Sequence, residues 1–341
     1  MPPTAAAAAD AEARLALAEY DGVGKLISVE PLATGSASAR KVTTSCGSYL
    51  LKPAYRAQDI DLQAQLAPAL TARSIRQPLV VPTSAGGLVT STGFVLLEFL
   101  PGAVALEPAP GQVRAAMRHI GAFHAELGRL APHYRPDPES AWLQCADPGF
   151  LIAELPSLLA RAGLGDDGTA AALDLLQRSA AGLAALPHQV VHGDIGPDNV
   201  LMDAAEVIAL IDFTPYWEPV LFAACSALYW YHVYRNDPVP ASTVPASTVP
   251  ASTVPASTVP ASTVPAARLR ASLAAIGERR PWRADELALW PAGLIREALR
   301  RLAVPLVLAD RGHTAPVPRI SPRLAAVHAV VRVLPELSAP R

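Results

Sequence analysis

Two patterns of apolar and polar positions succeed one another along the chain. Up to about residue 100, short apolar or β-branched runs predict strands at Leu26–Leu32, Ala39–Thr44, Gly47–Leu51, Leu79–Pro82 and Gly93–Phe99. One helix interrupts them at Asp59–Arg73, where Ile60, Leu62, Leu66 and Leu70 recur at helical spacing. After Pro110, Ala/Leu-rich helical patterns dominate: Gln112–Leu130, Phe150–Ala162, Thr169–Leu186, Val220–Tyr234, Arg268–Ile276, Ala284–Leu308 and Pro322–Leu334. Pro68, Pro156, Pro291 and Pro305 fall inside these helices. Kinks or splits are expected there, because proline removes a donor and clashes with the preceding turn. Strands followed by helices predict an α+β chain: an N-terminal tail and helix over 1–22, a small antiparallel-sheet region over 23–100, and a larger helical region over 101–341.

One segment fits neither pattern. From Val239 to Thr263 the pentapeptide Val-Pro-Ala-Ser-Thr occurs five times unchanged, and a partial sixth copy extends it to residue 266. Proline at every fifth position forbids a helix, and Ser and Thr supply no apolar face, so a polyproline-like or disordered loop insertion is expected. A five-residue unit is too short for a solenoid repeat, and the fold is not expected to need it.

Composition narrows the classes. Hydrophobic residues make up 51% of the 341 and charged ones 17%, ample for a core. The formal net charge of −2 argues against a nucleic-acid partner, which requires a basic face. Three scattered cysteines with no C-x-x-C form neither a disulfide framework nor a zinc site. No apolar stretch reaches the roughly 20 residues of a membrane span, and no signal peptide is read, so no membrane partner and a cytoplasmic location are expected. Nothing in the sequence sets an oligomeric state. Only three residues are lysine, at 25, 41 and 52, against 25 arginines, so the place of each lysine is informative.

Chemistry concentrates at Val190-Val-His192-Gly193-Asp194-Ile-Gly-Pro-Asp198-Asn199-Val-Leu201 and at Val207-Ile-Ala-Leu-Ile-Asp212-Phe213. Each pairs a short apolar strand with acids or an amide. A turn at Asp203–Glu206 would join them as a hairpin and bring Asp194, Asn199 and Asp212 to one edge. Phosphoryl transfer needs such a set: one carboxylate to orient the acceptor hydroxyl, and an amide and a second carboxylate to hold Mg2+.

H-G-D-x-x-x-x-N followed by I-D-F resembles the aminoglycoside phosphotransferase and choline/homoserine kinase superfamily, over roughly residues 26 to 310. The glycine after histidine separates it from the protein kinases proper. The resemblance implies a bilobal protein-kinase-like fold and ATP and Mg2+ as cofactors. Asp194 would be the base, and Asn199 and Asp212 the metal ligands. Lys52 would hold phosphates under a loop containing Gly35, Ser36 and Ser38. Adenine would lie at backbone groups near Glu98 and Leu100, against Leu201. The acid expected to pair with the lysine is less clear-cut. Only Asp59 and Asp61 lie between Lys52 and Glu98; Asp61 sits best, and both also suit helix capping.

Tyr216, Trp217, Glu218 and Tyr231 are candidates to line the acceptor site. The aromatic group around residues 229–234 suits either a core or a cation–π pocket for a quaternary amine. Residues 101–341 hold 22 acids and 20 arginines, which shows no acidic cleft for a polycation. His124 and His192 read as packed structural histidines. The implied acceptor is a small-molecule hydroxyl, on an aminoglycoside-type antibiotic or an amino alcohol. A homoserine-kinase-like enzyme is the second reading. A nucleotide-binding pseudokinase or scaffold is the third, and the intact Lys52, Asp194, Asn199 and Asp212 disfavour it.

Overall fold

The structure is a computed structural model that describes residues 5–32, 39–54, 56–131, 133–135, 145–234, 265–311 and 320–338. Gly35, Ser36 and Ser38 and the Val239–Thr263 repeat lie outside the described residues. The chain forms two compact units: Met1–Leu106 with Asp198–Phe213, and Glu107–Pro197 with Thr214–Arg341.

Period-two alternation builds the first unit. β1 (Leu26–Pro31), β2 (Arg40–Thr44), β3 (Gly47–Pro53), β4 (Val80–Val81) and β5 (Phe94–Glu98) form an antiparallel sheet in the order β1-β2-β3-β5-β4. Successive side chains of a strand point to opposite faces. Val42, Leu51, Phe94 and Leu96 pack in one cluster with Ala13, Ala16 and Leu17 of α1 (Ala5–Leu17), whereas Val95 and Leu97 pack with Ile60 of α2 (Ala57–Thr71). Antiparallel pairing sets Lys52 opposite Val95 and Tyr49 opposite Glu98.

Beyond β5 the chain turns at Pro101-Gly102 into β6 (Ala103–Val104). Gly102 has φ +135°, and a Cβ there would lie 3.3 Å from Leu201 and Ile208, so the turn requires glycine. β6 pairs with β8 (Val200–Asp203), and β8 with β9 (Glu206–Leu210), the hairpin expected across Asp203–Glu206. Leu100, Leu201 and Ala209 form the core of this small sheet.

The second unit contains α3 (Pro110–Leu130), α4 (Pro148–Ala162), α5 (Asp167–Ala184), α6 (Val220–Leu228), α7 (Ala266–Gly277), α8 (Ala284–Asp310) and α9 (Ile320–Ser338), with β7 (His188–His192) paired antiparallel to β10 (Pro215–Pro219). The helix expected over Val220–Tyr234 is α6 followed by a π-helical turn, Tyr229–Val233. α8 packs against α4, α5, α6 and α9, and every residue from Ala292 to Val307 is buried. Pro68, Pro156, Pro291 and Pro305 all lie within continuous helices, so none splits its helix. Burial of apolar surface on these helices offsets the roughly 3 kcal/mol that an internal proline costs.

Candidate active site

A cavity of about 410 Å³ opens in the strand-rich unit. Leu50, Leu97, Leu100 and Leu201 supply its apolar wall, while Lys52, Asn199 and Asp212 line it with nitrogen and oxygen. Lys52 is carried by β3, and its Nζ lies 2.7 Å from Asp212 Oδ1. Asp212 follows β9 in left-handed backbone, φ 54°, which a short polar side chain tolerates better than others and which is common at functional turns. Asn199 ends a single 3-10 turn, Pro197–Asn199, and its carbonyl accepts a hydrogen bond from Ile211 N at 3.0 Å. The β8–β9 register thereby ties Asn199 to the neighbour of Asp212. An amide oxygen and a carboxylate are hard donors that suit Mg2+, which commonly takes only one or two protein ligands beside phosphate and water. The described residues contain no group of three or more His, Cys, Asp or Glu arranged to hold a metal.

The structure places the other residues proposed for this cavity as follows. Asp61 is exposed on α2, and Asp59 pairs with Arg56 at 2.6 Å, so the ammonium of Lys52 is met by Asp212 and not by the acid on the helix. Glu98 lines the cavity, with its carboxylate held by Arg76 and its backbone N–H given to Leu79 O at 2.8 Å. Leu100 and Leu201 stand together in the wall.

Asp194 belongs to the helical unit and follows β7 by two residues. Its loop is gripped at three consecutive positions. His192 N–H donates to His124 Nε2 at 3.2 Å, Gly193 O accepts from Arg300 at 3.2 Å, and Asp194 N–H donates to His192 Nδ1 at 3.3 Å. A side chain on Gly193 would meet the Tyr216 ring at 2.2 Å, so the glycine of the H-G-D motif is the seat of that ring. Asp194 Oδ1 receives Arg301 Nη2 at 2.9 Å.

Arg301 stands in a network that the sequence did not suggest. Glu297, wholly buried, accepts from Arg300 at 2.7 and 2.8 Å, from Arg301 at 2.7 Å and from Arg296 at 3.4 Å. Arg296 also reaches Glu218 at 2.5 Å and Ala146 O. Burial pushes the Glu297 carboxyl up, but the charges of Arg300 and Arg301 outweigh it and hold the group at about 2. The signal that could have found the run Arg296-Glu-Ala-Leu-Arg300-Arg301 is its place in the middle of a 27-residue helix with apolar residues on both sides.

The same network corrects the acceptor-site candidates. Tyr216, Glu218 and Tyr231 are buried, with 4%, 8% and 1% of their surface exposed. Tyr216 lies against Gly193 and Arg300, and Glu218 neutralises Arg296. Trp217 remains half-buried under Arg135, whose guanidinium lies 3.2 Å from the ring centre. The aromatics of this region therefore take this chain's own arginines on their faces: Phe222 takes Arg296 at 4.1 Å and Trp230 takes Arg301 at 4.7 Å. The buried guanidiniums of Arg296 and Arg301 need such partners.

His124 and His119 complete the site's setting on α3. Burial, with the nearby His192, lowers His124 to about 3, and burial lowers His119 to about 4. Neutral His124 fits its hydrogen bonds: Nδ1 lies 2.9 Å from Ile120 O and Nε2 accepts from His192. Both folded values lie below the unfolded value near 6.5, so the unfolded chain takes up protons first. Stability is then full above pH 6.5 and falls, by about 1.4 kcal/mol per pH unit per histidine, toward pH 4. His119 Nε2 has no hydrogen-bond partner among the described residues. His119→Leu should therefore flatten the decline of the thermal midpoint between pH 6.5 and 4.5. An unchanged slope would mean His119 titrates normally.

A strand-rich unit bearing a lysine–aspartate pair, joined to a helical unit bearing a gripped aspartate loop, has the architecture of the protein-kinase-like phosphotransferases. The chain belongs to the phosphotransferase enzyme family, whose profile matches residues 28–216, and is thus a small-molecule kinase. Solved structures share the fold at low identity. A microcompartment-associated aminopropanol kinase is 18% identical with a TM-score of 0.62, over 97% of this chain and 99% of the other. An aminoglycoside phosphotransferase from Alicyclobacillus acidocaldarius is 15% identical with a TM-score of 0.60, over 95% and 94%. An amicoumacin kinase, in complex with AMP-PNP, Ca2+ and Ami, is 14% identical with a TM-score of 0.59, over 93% and 95%. No curated protein matches the sequence. Among the described residues no helix is long and apolar enough to cross a membrane.

Proposed function

We propose that the protein transfers the γ-phosphoryl group of ATP to a hydroxyl of a small amine-bearing alcohol, of the amino-alcohol or aminoglycoside kind. The observation that carries this reading is the 2.7 Å pair of Lys52 and Asp212 in a cavity shared with Asn199 and walled by leucines. The leucines offer adenine an apolar slot beside the backbone of Glu98–Leu100. Lys52 takes phosphate oxygens. Asn199 and Asp212 would hold Mg2+, which when bound would supply neutralisation of phosphate charge. Asp194 orients the acceptor hydroxyl and takes its proton. The acceptor oxygen bonds to the γ-phosphorus, the bond to the β-phosphate oxygen breaks, and ADP departs. The work of these residues is positioning and charge stabilisation. The amine in the acceptor is supported by the fold relatives named for aminopropanol and aminoglycosides, and the nucleotide and divalent ion by the amicoumacin kinase complex.

Two experiments test the reading. MgATP should raise the thermal midpoint more than ATP or Mg2+ alone, and the gain should vanish in Lys52→Ala and Asp212→Ala. No Mg-dependent gain in the parent would remove the kinase reading. ADP release should then be screened over aminopropanol, choline, homoserine, aminoglycosides and peptide antibiotics. Turnover of homoserine alone would replace the amine-bearing alcohol by the homoserine-kinase-like alternative.

A further inference from the structure

We propose that Arg301 is a positioning residue for Asp194, and that the buried arginine–glutamate network of α8 is the frame that aims this carboxylate. The proposal deepens the reading of Asp194 as proton acceptor and rests on it.

Asp194 stands on a loop with its side chain 44% exposed, whereas Arg301 retains 5%. The guanidinium has little freedom to turn. Nε is tied to Glu297 at 2.7 Å, Nη2 reaches Ser226 Oγ at 3.1 Å as well as Asp194 at 2.9 Å, and its face lies 4.7 Å from the centre of the Trp230 ring. A lone exposed Arg–Asp pair would constrain little, since such pairs gain little in water. Here the cation is already desolvated and fixed by three other groups, so only the carboxylate can adapt, and its direction follows the helix.

Charge bookkeeping points the same way. Arg296, Arg300 and Arg301 carry three positive charges, and among the described residues the carboxylates in contact with them are Glu297, Glu218 and Asp194. Asp194 is the third anion of a balanced set, although it alone lies at the exposed end. Arg300 meanwhile holds the carbonyl of Gly193, so two adjacent arginines of one helix grip two adjacent residues of the loop. Displacement of a reacting group by as little as about 1 Å costs on the order of 100-fold in rate.

The test uses the full chain as a double-mutant cycle of Arg301→Gln, Asp194→Asn and their combination, with Arg301→Lys as the conservative variant. Thermal midpoints and ADP release from MgATP are measured, with the acceptor found in the screen or with water if none is turned over. Arg301→Gln should lower kcat by roughly 100-fold while the KM for MgATP stays within about threefold, and Arg301→Lys should recover about a tenth of the parent rate. The midpoint loss from Arg301→Gln should be smaller in the Asp194→Asn background, since the pair is already gone. Additive midpoints, an unchanged kcat, or a loss confined to KM would each overturn the proposal and leave Arg301 as a packing residue. Full kcat in Asp194→Asn would overturn the proton-acceptor assignment as well. Loss in Asp194→Asn with none in Arg301→Gln would overturn the positioning role alone. Should Arg301→Gln fail to fold, Arg301→Lys with Asp194→Asn gives the same cycle, because lysine keeps the charge and loses the fork.

Discussion

Asp194→Ala should reduce phosphoryl transfer by at least about 1,000-fold while leaving the MgATP-dependent rise in thermal midpoint intact. General acid–base groups contribute on the order of 100- to 10,000-fold, and on the proposed reading the carboxylate also orients the attacking hydroxyl. The nucleotide's proposed contacts lie elsewhere, on Lys52, Asn199, Asp212 and the leucine wall of the strand-rich unit. Binding and turnover should therefore separate. The effect on folding should be modest, since Arg301 keeps Glu297 and Ser226 after the loss. ADP release and thermal shift on one preparation decide the matter. A variant that turns over normally would remove Asp194 from the reaction, and one that no longer responds to MgATP would show that the loop supports nucleotide binding.

Glu297→Gln should be the most destabilising single substitution near the site. The carboxylate is fully buried and answers three guanidiniums. Removing one partner of a buried pair leaves uncompensated charge and costs about 3–5 kcal/mol, a large share of the roughly 5–15 kcal/mol that keeps a domain folded. The effect carries a pH signature. The folded carboxyl is held at about 2 against an unfolded value near 4.5, so its contribution is present above pH 4.5 and disappears as pH falls toward 2. Parent and variant should thus differ most at neutral pH and converge in acid. Urea unfolding at several pH values between 7 and 3 measures this. Equal stability of the two at pH 7 would mean that the arginines are neutralised by other groups.

Much of this was legible in the chain. Strands and helices could be placed because apolar residues repeat with a period of two before residue 100 and at helical spacing after Pro110, and these are local properties. The H-G-D-x-x-x-x-N and I-D-F motifs were legible for a similar reason: each is a short run of neighbouring residues, and the hairpin of β8 and β9 joins Asn199 to the strand before Asp212. Even the scarcity of lysine carried information, since one of only three stands on β3 and faces Asp212.

Other features depend on which surfaces meet. Asp61 has helix-start chemistry and a suitable distance along the chain, yet the sheet carries Lys52 to Asp212 instead. Glu218 and Tyr216 follow the I-D-F motif closely enough to suggest an acceptor pocket, but antiparallel pairing of β10 with β7 puts Tyr216 across from Val191 and over Gly193.

The sequence by itself determined the order of elements and the fold class. Hydrophobic period and motif spacing act over a few residues and do not wait for the rest of the fold. Only the tertiary structure decided that the arginines of α8 are interior. A helix with charges at 296, 297, 300 and 301 looks solvated until neighbours close around it, and α4, α5, α6 and α9 do close around it. Once water is excluded, each guanidinium must find an anion or a ring, and the anion left for Arg301 beside Glu297 is Asp194.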